Sequence, residues 1–258
     1  MAAASTTDGP LAGRRALVTG AAGGLGRAAA LELGRLGADV AGIDLDAAGL
    51  ESLGAALDPL GLRCHLRPGD CRSAAVMADF VASAEAVLGG IDILVNNVGQ
   101  SAREKAGPFL ESGEETWRFV LDISLMTALR TTRLLAPGMQ TRKWGRILCI
   151  SSDAALVGDV GLADYAAAKA GLLGFTRSLA RELAPARVTV NAICFGTVAT
   201  RAHEHLDPAV LDRVKASVPM GYIAEPEEAV PLVGFLAGPG GAYITGQTIA
   251  VNGGRWFL

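Results

Sequence analysis

The residues from Arg15 to Gly26 restrict the architecture more than any other stretch of the chain. Arg15-Ala-Leu-Val-Thr19 is short and largely apolar, as a strand buried on both faces is. It runs without a spacer into Gly20-Ala-Ala-Gly23-Gly24-Leu25-Gly26 and then into a helical pattern carrying Leu25, Ala28, Ala29 and Leu36. A strand that turns through glycines straight into a helix is the opening of a β-α-β unit. Glycine in such a turn permits positive φ and close backbone approach, while the first N–H groups of the helix offer positive charge to a pyrophosphate. Close strand–helix packing is the other use of these glycines. The turn lacks the Gly-Lys-Ser/Thr ending of a phosphate-hydrolysing loop, so Mg-nucleotide chemistry is disfavoured.

The next strand, Asp39-Val-Ala-Gly-Ile-Asp44, ends in a carboxylate 18 positions beyond Gly26. That is close to the roughly 20 expected for an acid that hydrogen-bonds an adenosine ribose. A 2′-phosphate beside Asp44 would face a like charge, and no Arg or Lys stands at 21–24 or 45 to compensate. The spacing therefore predicts NAD; capping of the following helix is the plainer role for Asp44. Leu62 to Arg67 reads as a third strand. Asp70, after it, either touches the adenine edge or caps a helix beginning near Ser73. Ile91-Asp-Ile-Leu-Val95 is a fourth strand, ending in Asn96-Asn97-Val98-Gly99, a polar and glycine-bearing turn suited to face a cofactor.

Downstream, a helix is predicted from Glu114 to Leu135, with Trp117, Val120, Leu121, Ser124, Leu125, Ala128 and Leu129 at helical spacing. The strand Arg146 to Ile150 precedes Ser152, and a helix from Gly161 to Ala184 carries Tyr165 and Lys169 at i and i+4, on one face. A free tyrosine, with a pKa of about 10, is a poor general acid/base at neutral pH, whereas an adjacent cation favours its phenolate. Taken alone, the same spacing also describes a solvated surface pair. A strand Arg187 to Ile193, a substrate lid at about 197–222, a helix from Pro226 to Leu236 and a strand Gln247 to Val251 complete the chain. His203 and His205 fall in the lid as solvated residues or substrate contacts, and His65 has no evident chemistry.

Half of the 258 residues are hydrophobic and 33 are glycine, which fits one large α/β domain over residues 11–258 behind a flexible tail at 1–10. A formal net charge of −3 without a basic block argues against nucleic acid or an anionic membrane as partner. No targeting signal and no apolar run near the ~18 residues of a membrane span is found, so a cytoplasmic protein is expected. Cys64, Cys71, Cys149 and Cys194 form no Cys-x-x-Cys pair and are expected as free thiols, with no metal site. The apolar end Arg255-Trp-Phe-Leu258 predicts a partner subunit.

Together these residues resemble the short-chain dehydrogenase/reductase family from about Leu11 to Gly254. The resemblance rests on Thr19-Gly20-(x)3-Gly24-Leu25-Gly26, Asp44, Asp70, Asn96-Asn97-Val98-Gly99, Ser152, Tyr165-(x)3-Lys169 and Tyr243-Ile-Thr-Gly246 through Asn252-Gly-Gly254. It implies a single Rossmann-type doubly wound domain with a seven-stranded parallel sheet and helices on both faces, assembled as a homotetramer or homodimer. It further implies that Tyr165 is the general acid/base, that Lys169 lowers its pKa and holds the nicotinamide ribose, and that Ser152 bonds the substrate oxygen. Gly20, Gly24, Leu25 and Gly26 would hold the dinucleotide, Asp44 and Leu45 the adenine ribose, and Asp70 and Cys71 adenine. Asn97 and Gly99 would face the second ribose, and Phe195, Gly196, Val198 and Thr200 the carboxamide.

Two positions depart from the family pattern. Ser124 replaces an Asn whose backbone carbonyl holds a water connecting Lys169 to solvent; serine keeps that carbonyl and can itself bend a helix. Phe195 replaces the proline of a Pro-Gly pair, adding a ring to stack on the cofactor or crowd it. The expected activity is hydride transfer between NAD(H) and a secondary alcohol or ketone, with Gln100, Asp153, Leu156, Trp117 and the lid lining the pocket. A 3-oxoacyl-thioester reductase or 3-hydroxyacyl dehydrogenase is the enzymatic alternative. A redox-silent NAD-binding sensor or assembly subunit is the non-enzymatic one.

Overall fold

The computed structural model describes residues 9–101, 107–200 and 208–257. Seven parallel strands form one sheet in the order β3-β2-β1-β4-β5-β6-β7. They are β1 (Arg15–Thr19), β2 (Asp39–Asp44), β3 (Cys64–Pro68), β4 (Ile93–Asn96), β5 (Gly145–Ser152), β6 (Val188–Phe195) and β7 (Thr248–Val251). The inner strands are buried on both faces, which is why their sequences read as near-continuous apolar runs.

Helices cover both faces. One face packs α1 (Gly24–Arg35), α2 (Ala47–Leu57), α9 (Pro226–Ala229) and α10 (Pro231–Ala237) over Val18, Val40, Val95, Leu148 and Ile193. The other packs α3 (Ala74–Leu88), α5 (Thr127–Arg142) and α7 (Ala163–Leu183) over Leu17, Ile43, Leu94, Ile147 and Val190. The remaining helices are α4 (Glu114–Leu121), α6 (Ala154–Val157) and α8 (Pro208–Ala216). The chain winds outward from β1 to β3 and restarts on the other side of β1 with β4, so the strand order reverses between β1 and β4. In open α/β sheets ligands bind beyond the strand ends at that reversal.

Several boundaries have local causes. Asp46 and Ser73 cap α2 and α3 by accepting from Gly49 N and Val76 N, so the caps foreseen at Asp44 and Asp70 lie two and three residues further on. Pro231 divides the helix expected from Pro226 to Leu236 into α9 and α10. The helix expected from Glu114 is interrupted by a π-turn at Asp122–Met126, centred on Ser124. Single π-turns inside helices concentrate at functional sites. Residues 1–8 of the expected tail lie outside the described residues. Leu11, just beyond it, is fully buried and bonded to Leu36.

Candidate active site

The site is assembled from the carboxyl ends of the strands. At β1, Gly20 (φ 69°) and Gly24 (φ 50°) have the positive φ that glycine tolerates, and a Cβ on Gly26 would run into the Gly20 carbonyl. Thr19 Oγ1 accepts from the backbone N–H groups of Asn97 and Val98 at 3.1 and 3.2 Å, joining the β1 and β4 turns. Asn97 Nδ2 donates to the carbonyls of Thr19 and Gly20 at 3.0 and 3.1 Å. Its amide nitrogen is thus committed to holding the glycine turn, a function its position in sequence did not announce.

At β2, Asp44 accepts from Ala22 N at 3.0 Å through one oxygen and from Asp46 N at 3.1 Å through the other. The carboxylate therefore lies against the glycine turn, and the neighbouring Leu45 presents an exposed apolar side chain. Beyond β3, Arg72 grips the Asp70 carboxylate through Nε and Nη2 and holds it below the usual carboxylate range. Cys71 is buried beside Gly20, and burial pushes its thiol up to about 12.

At β5, Ser152 Oγ accepts from Ala154 N at 3.2 Å, fixing the turn into α6. On α7, the Lys169 ammonium lies 5.8 Å from the centre of the Tyr165 ring and donates to the Ile150 carbonyl at 2.8 Å. Lys169 is 2 % exposed, which removes the surface-pair reading. Burial lowers its pKa to about 8, opposed in part by the neighbouring Cys149 and Cys194. A Cβ on Gly99 would meet Lys169 Nζ at 2.5 Å, so a side chain there would push the ammonium from its place. Ser124 is completely buried; its Oγ accepts from Gln100 N at 3.0 Å and donates to Gln100 O at 3.1 Å. That two-way clamp ties the π-turn to the Asn97–Gly99 segment.

At β6, Phe195 corrects one expectation. Its ring belongs to the apolar core and is 3 % exposed, leaving no open aromatic face for stacking. The bulk of phenylalanine is accommodated by turning away from the site. Gly196 follows it, Val198 is buried in a bridge with Ala224, and Thr200 approaches Gly24, so this loop returns to the glycine turn. Asp153 corrects another. It is buried and bonded to Asn252 instead of opening onto a substrate pocket. Trp117 stacks on Phe109 at 5.0 Å, beside a small cleft reaching Thr116, Gly161 and Asp164. His203 and His205 lie outside the described residues, as does 201–207 of the expected lid; His65 bonds Ser83 and stacks on Phe80. The four cysteines are free. Among the described residues no helix is long and apolar enough to cross a membrane.

The doubly wound sheet carries the glycine turn and Ser152 at its strand ends with Tyr165 and Lys169 on α7 beside them, and comparison with known proteins names the class: the chain belongs to the short-chain dehydrogenase/reductases, a family of Rossmann-type oxidoreductases. The family described as Enoyl-(Acyl carrier protein) reductase matches residues 20–255. The 3-oxoacyl-(acyl-carrier-protein) reductase FabG of Pseudomonas aeruginosa is 38% identical over 246 residues, covering 95% of this chain and 98% of that one. Nodulation protein G of Rhizobium sp. (strain N33) is 38% identical over 244 residues, covering 95% and 97%. Among solved structures, a single-substitution variant of actinorhodin polyketide ketoreductase with NADPH superposes with a TM-score of 0.88 at 35% identity, covering 94% of this chain and 97% of that one.

Proposed function

We propose that this chain is an NAD(H)-linked reductase of 3-oxoacyl thioesters, interconverting the 3-oxo and 3-hydroxy groups with Tyr165 as proton donor and acceptor. The observation that carries the reading is the buried Lys169 ammonium beside the Tyr165 ring, bonded to Ile150 of the strand that ends in Ser152. The thioester class draws its support from the reductases of 3-oxoacyl carrier-protein and polyketide substrates that this chain resembles along nearly its whole length. It takes the place of the unspecialised secondary alcohol expected from sequence.

The residues present fit a nicotinamide dinucleotide. A Cβ on Gly20 would meet Asn97 Nδ2 at 2.9 Å and one on Gly24 would meet Thr200 at 3.1 Å, so the bare glycines keep backbone open beside the start of α1. In this reading Gly20, Gly24, Leu25 and Gly26 hold the pyrophosphate, Asp44 and Leu45 the adenosine ribose, and Asp70 and Cys71 flank adenine. Asn97, Gly99 and Lys169 lie on the second ribose, with the Phe195 backbone, Gly196, Val198 and Thr200 on the carboxamide. When bound, the cofactor supplies or accepts the hydride. NAD(H) is preferred because the Asp44 carboxylate stands against the glycine turn with an apolar Leu45 beside it, an arrangement hostile to a 2′-phosphate.

The chain's own contribution is proton movement and positioning. Tyr165 gives its phenolic proton to the carbonyl oxygen as the alcohol forms. Lys169 favours the resulting phenolate, and Ser152 donates a hydrogen bond to the same oxygen. The test is turnover of acetoacetyl-CoA against simple secondary alcohols and ketones, each with NADH or NADPH at equal concentration. Preferred turnover of the thioester with NADH supports both assignments. Turnover confined to simple ketones would overturn the substrate class, and an NADPH preference the Asp44 argument.

A further inference from the structure

One buried carboxyl near the site has no role in the proton transfer. Asp153 directly follows Ser152 and is 4 % exposed. Its backbone N–H donates to the Phe195 carbonyl at 3.0 Å, so it stands where β5 hands over to β6. Oδ1 receives only a long bond of 3.4 Å from Asn252 Nδ2, which also donates to the Trp256 carbonyl at 3.0 Å. Oδ2 is buried without a protein donor, 3.1 Å from the position a Cβ would take on Gly196. On the C-terminal segment, Arg255 Nε is likewise buried without an acceptor. The guanidinium and the carboxylate sense each other electrostatically, yet among the described residues no ion pair joins them. Arg255 N donates to the carbonyl of the same Asn252 that touches Asp153, so a buried acceptor lacking a donor and a buried donor lacking an acceptor, of opposite charge, belong to one turn and would relieve each other on pairing.

We propose that Asp153 and Arg255 form a latch, in which the ionised carboxylate draws the guanidinium onto Oδ2 and fastens the C-terminal turn to the loop that begins at Gly196. Asp153 is then a positioning residue. The turn it draws in is connected on both sides. Gly196 N donates to the Val251 carbonyl at 3.0 Å, and Met220 N donates to the Gly253 carbonyl at 3.2 Å. Gly253 and Gly254 have φ of 63° and 82° and pack on Val218 and Pro219. Closing the latch therefore moves residues 218–220 and the 196–200 loop together; the relevance to the cofactor rests on reading that loop as its nicotinamide side. The latch depends on pH. Burial raises the Asp153 carboxyl above the usual carboxylate range, against the lowering influence of Asn252 and Arg255. Among the described residues Cys194 of β6 also faces it, and burial raises its thiol and keeps it neutral where Asp153 titrates. Acidification protonates Asp153 and releases Arg255.

The test is amide hydrogen exchange of the cofactor-free protein from pH 4 to 8, expressed as protection factors at Met220, Gly254 and Arg255. Asp153→Asn, Arg255→Gln, the double variant and Arg255→Lys are compared with the parent. Protection in the parent is expected to fall roughly fivefold or more on acidification. In Asp153→Asn and Arg255→Gln it is low and insensitive to pH, the double variant is no lower than either, and Arg255→Lys recovers part of the response. Parental protection and pH response in either single variant would overturn the latch, and Arg255→Gln alone carries the test if Asp153→Asn does not fold. NADH titration of the same samples separates the two readings: a parent that binds no NADH removes the nicotinamide assignment while the exchange result still decides the latch.

Discussion

Lys169 keeps its ammonium 5.8 Å from the centre of the Tyr165 ring while donating to the Ile150 carbonyl at 2.8 Å. A helical residue and a strand carbonyl thus fix a cation that has no carboxylate partner among the described residues. The fold bears the desolvation of that charge, which is reasonable where the charge serves proton transfer and wasteful elsewhere. In the fold Lys169 has a pKa of about 8, lowered by burial from the ordinary lysine value. Lys169 therefore contributes stability that is complete above the unfolded pKa and is lost as pH falls through the folded one. Thermal melts of Lys169→Met are expected to compare more favourably with the parent at about pH 7 than at about pH 10. Its turnover should drop by roughly 10²-fold or more at both pH values. Parental turnover in Lys169→Met would remove the lysine from the mechanism.

Tyr165→Phe deletes the phenolic proton and keeps the ring. Turnover is expected to fall by about 10²–10⁴-fold while NADH binding, followed by fluorescence titration, stays within a few-fold of the parent. Unchanged turnover would remove the tyrosine's chemical role; no turnover in parent or variant, with NADH bound by both, would favour the redox-silent sensor.

Gly99 is the position where the smallest addition reaches the chemistry. A methyl group there would stand 2.5 Å from Lys169 Nζ and 3.5 Å from Ser124 Oγ. Gly99→Ala should displace the ammonium and lower kcat by roughly an order of magnitude or more, with a comparatively small change in cofactor affinity. Steady-state kinetics read this as a kcat loss; a loss confined to KM would contradict it.

Ser124→Ala removes the hydroxyl that joins the fully buried Ser124 to the N–H and carbonyl of the exposed Gln100. The expected cost is about 0.5–1.5 kcal/mol, measured by urea unfolding, together with a reduced kcat. Equal stability would mean that the clamp is replaced by neighbouring groups. Ser124→Asn restores the residue usual in the family and is expected to raise turnover.

Cofactor choice can be reversed at two adjacent residues. Asp44→Ser with Leu45→Arg removes the carboxylate from Ala22 N and introduces a guanidinium beside it. The ratio of kcat/KM for NADH to that for NADPH should fall by about 10-fold or more. An unchanged ratio would show that the ribose lies elsewhere.

What could be read from the chain were features with a short repeat or a fixed offset. The strand, glycine turn and helix at 15–26, the acid at the end of β2 and the i, i+4 pair on α7 are local, and local spacing is dictated by backbone geometry. The seven-stranded parallel sheet was implied by the family pattern, and the burial of its inner strands on two faces is written in their apolar runs. What the sequence left open depended on partners distant along the chain. Asn97 reaches back 77 and 78 residues to Gly20 and Thr19, and Ser124 reaches 24 to Gln100. Phe195 faces the core and Asp153 faces Asn252, 99 residues away. Sequence by itself determined which residues stand at the strand ends, because chain spacing fixes position along an element. Only the tertiary structure decided where their side chains point and which charges lose water, because both depend on neighbours supplied by other strands.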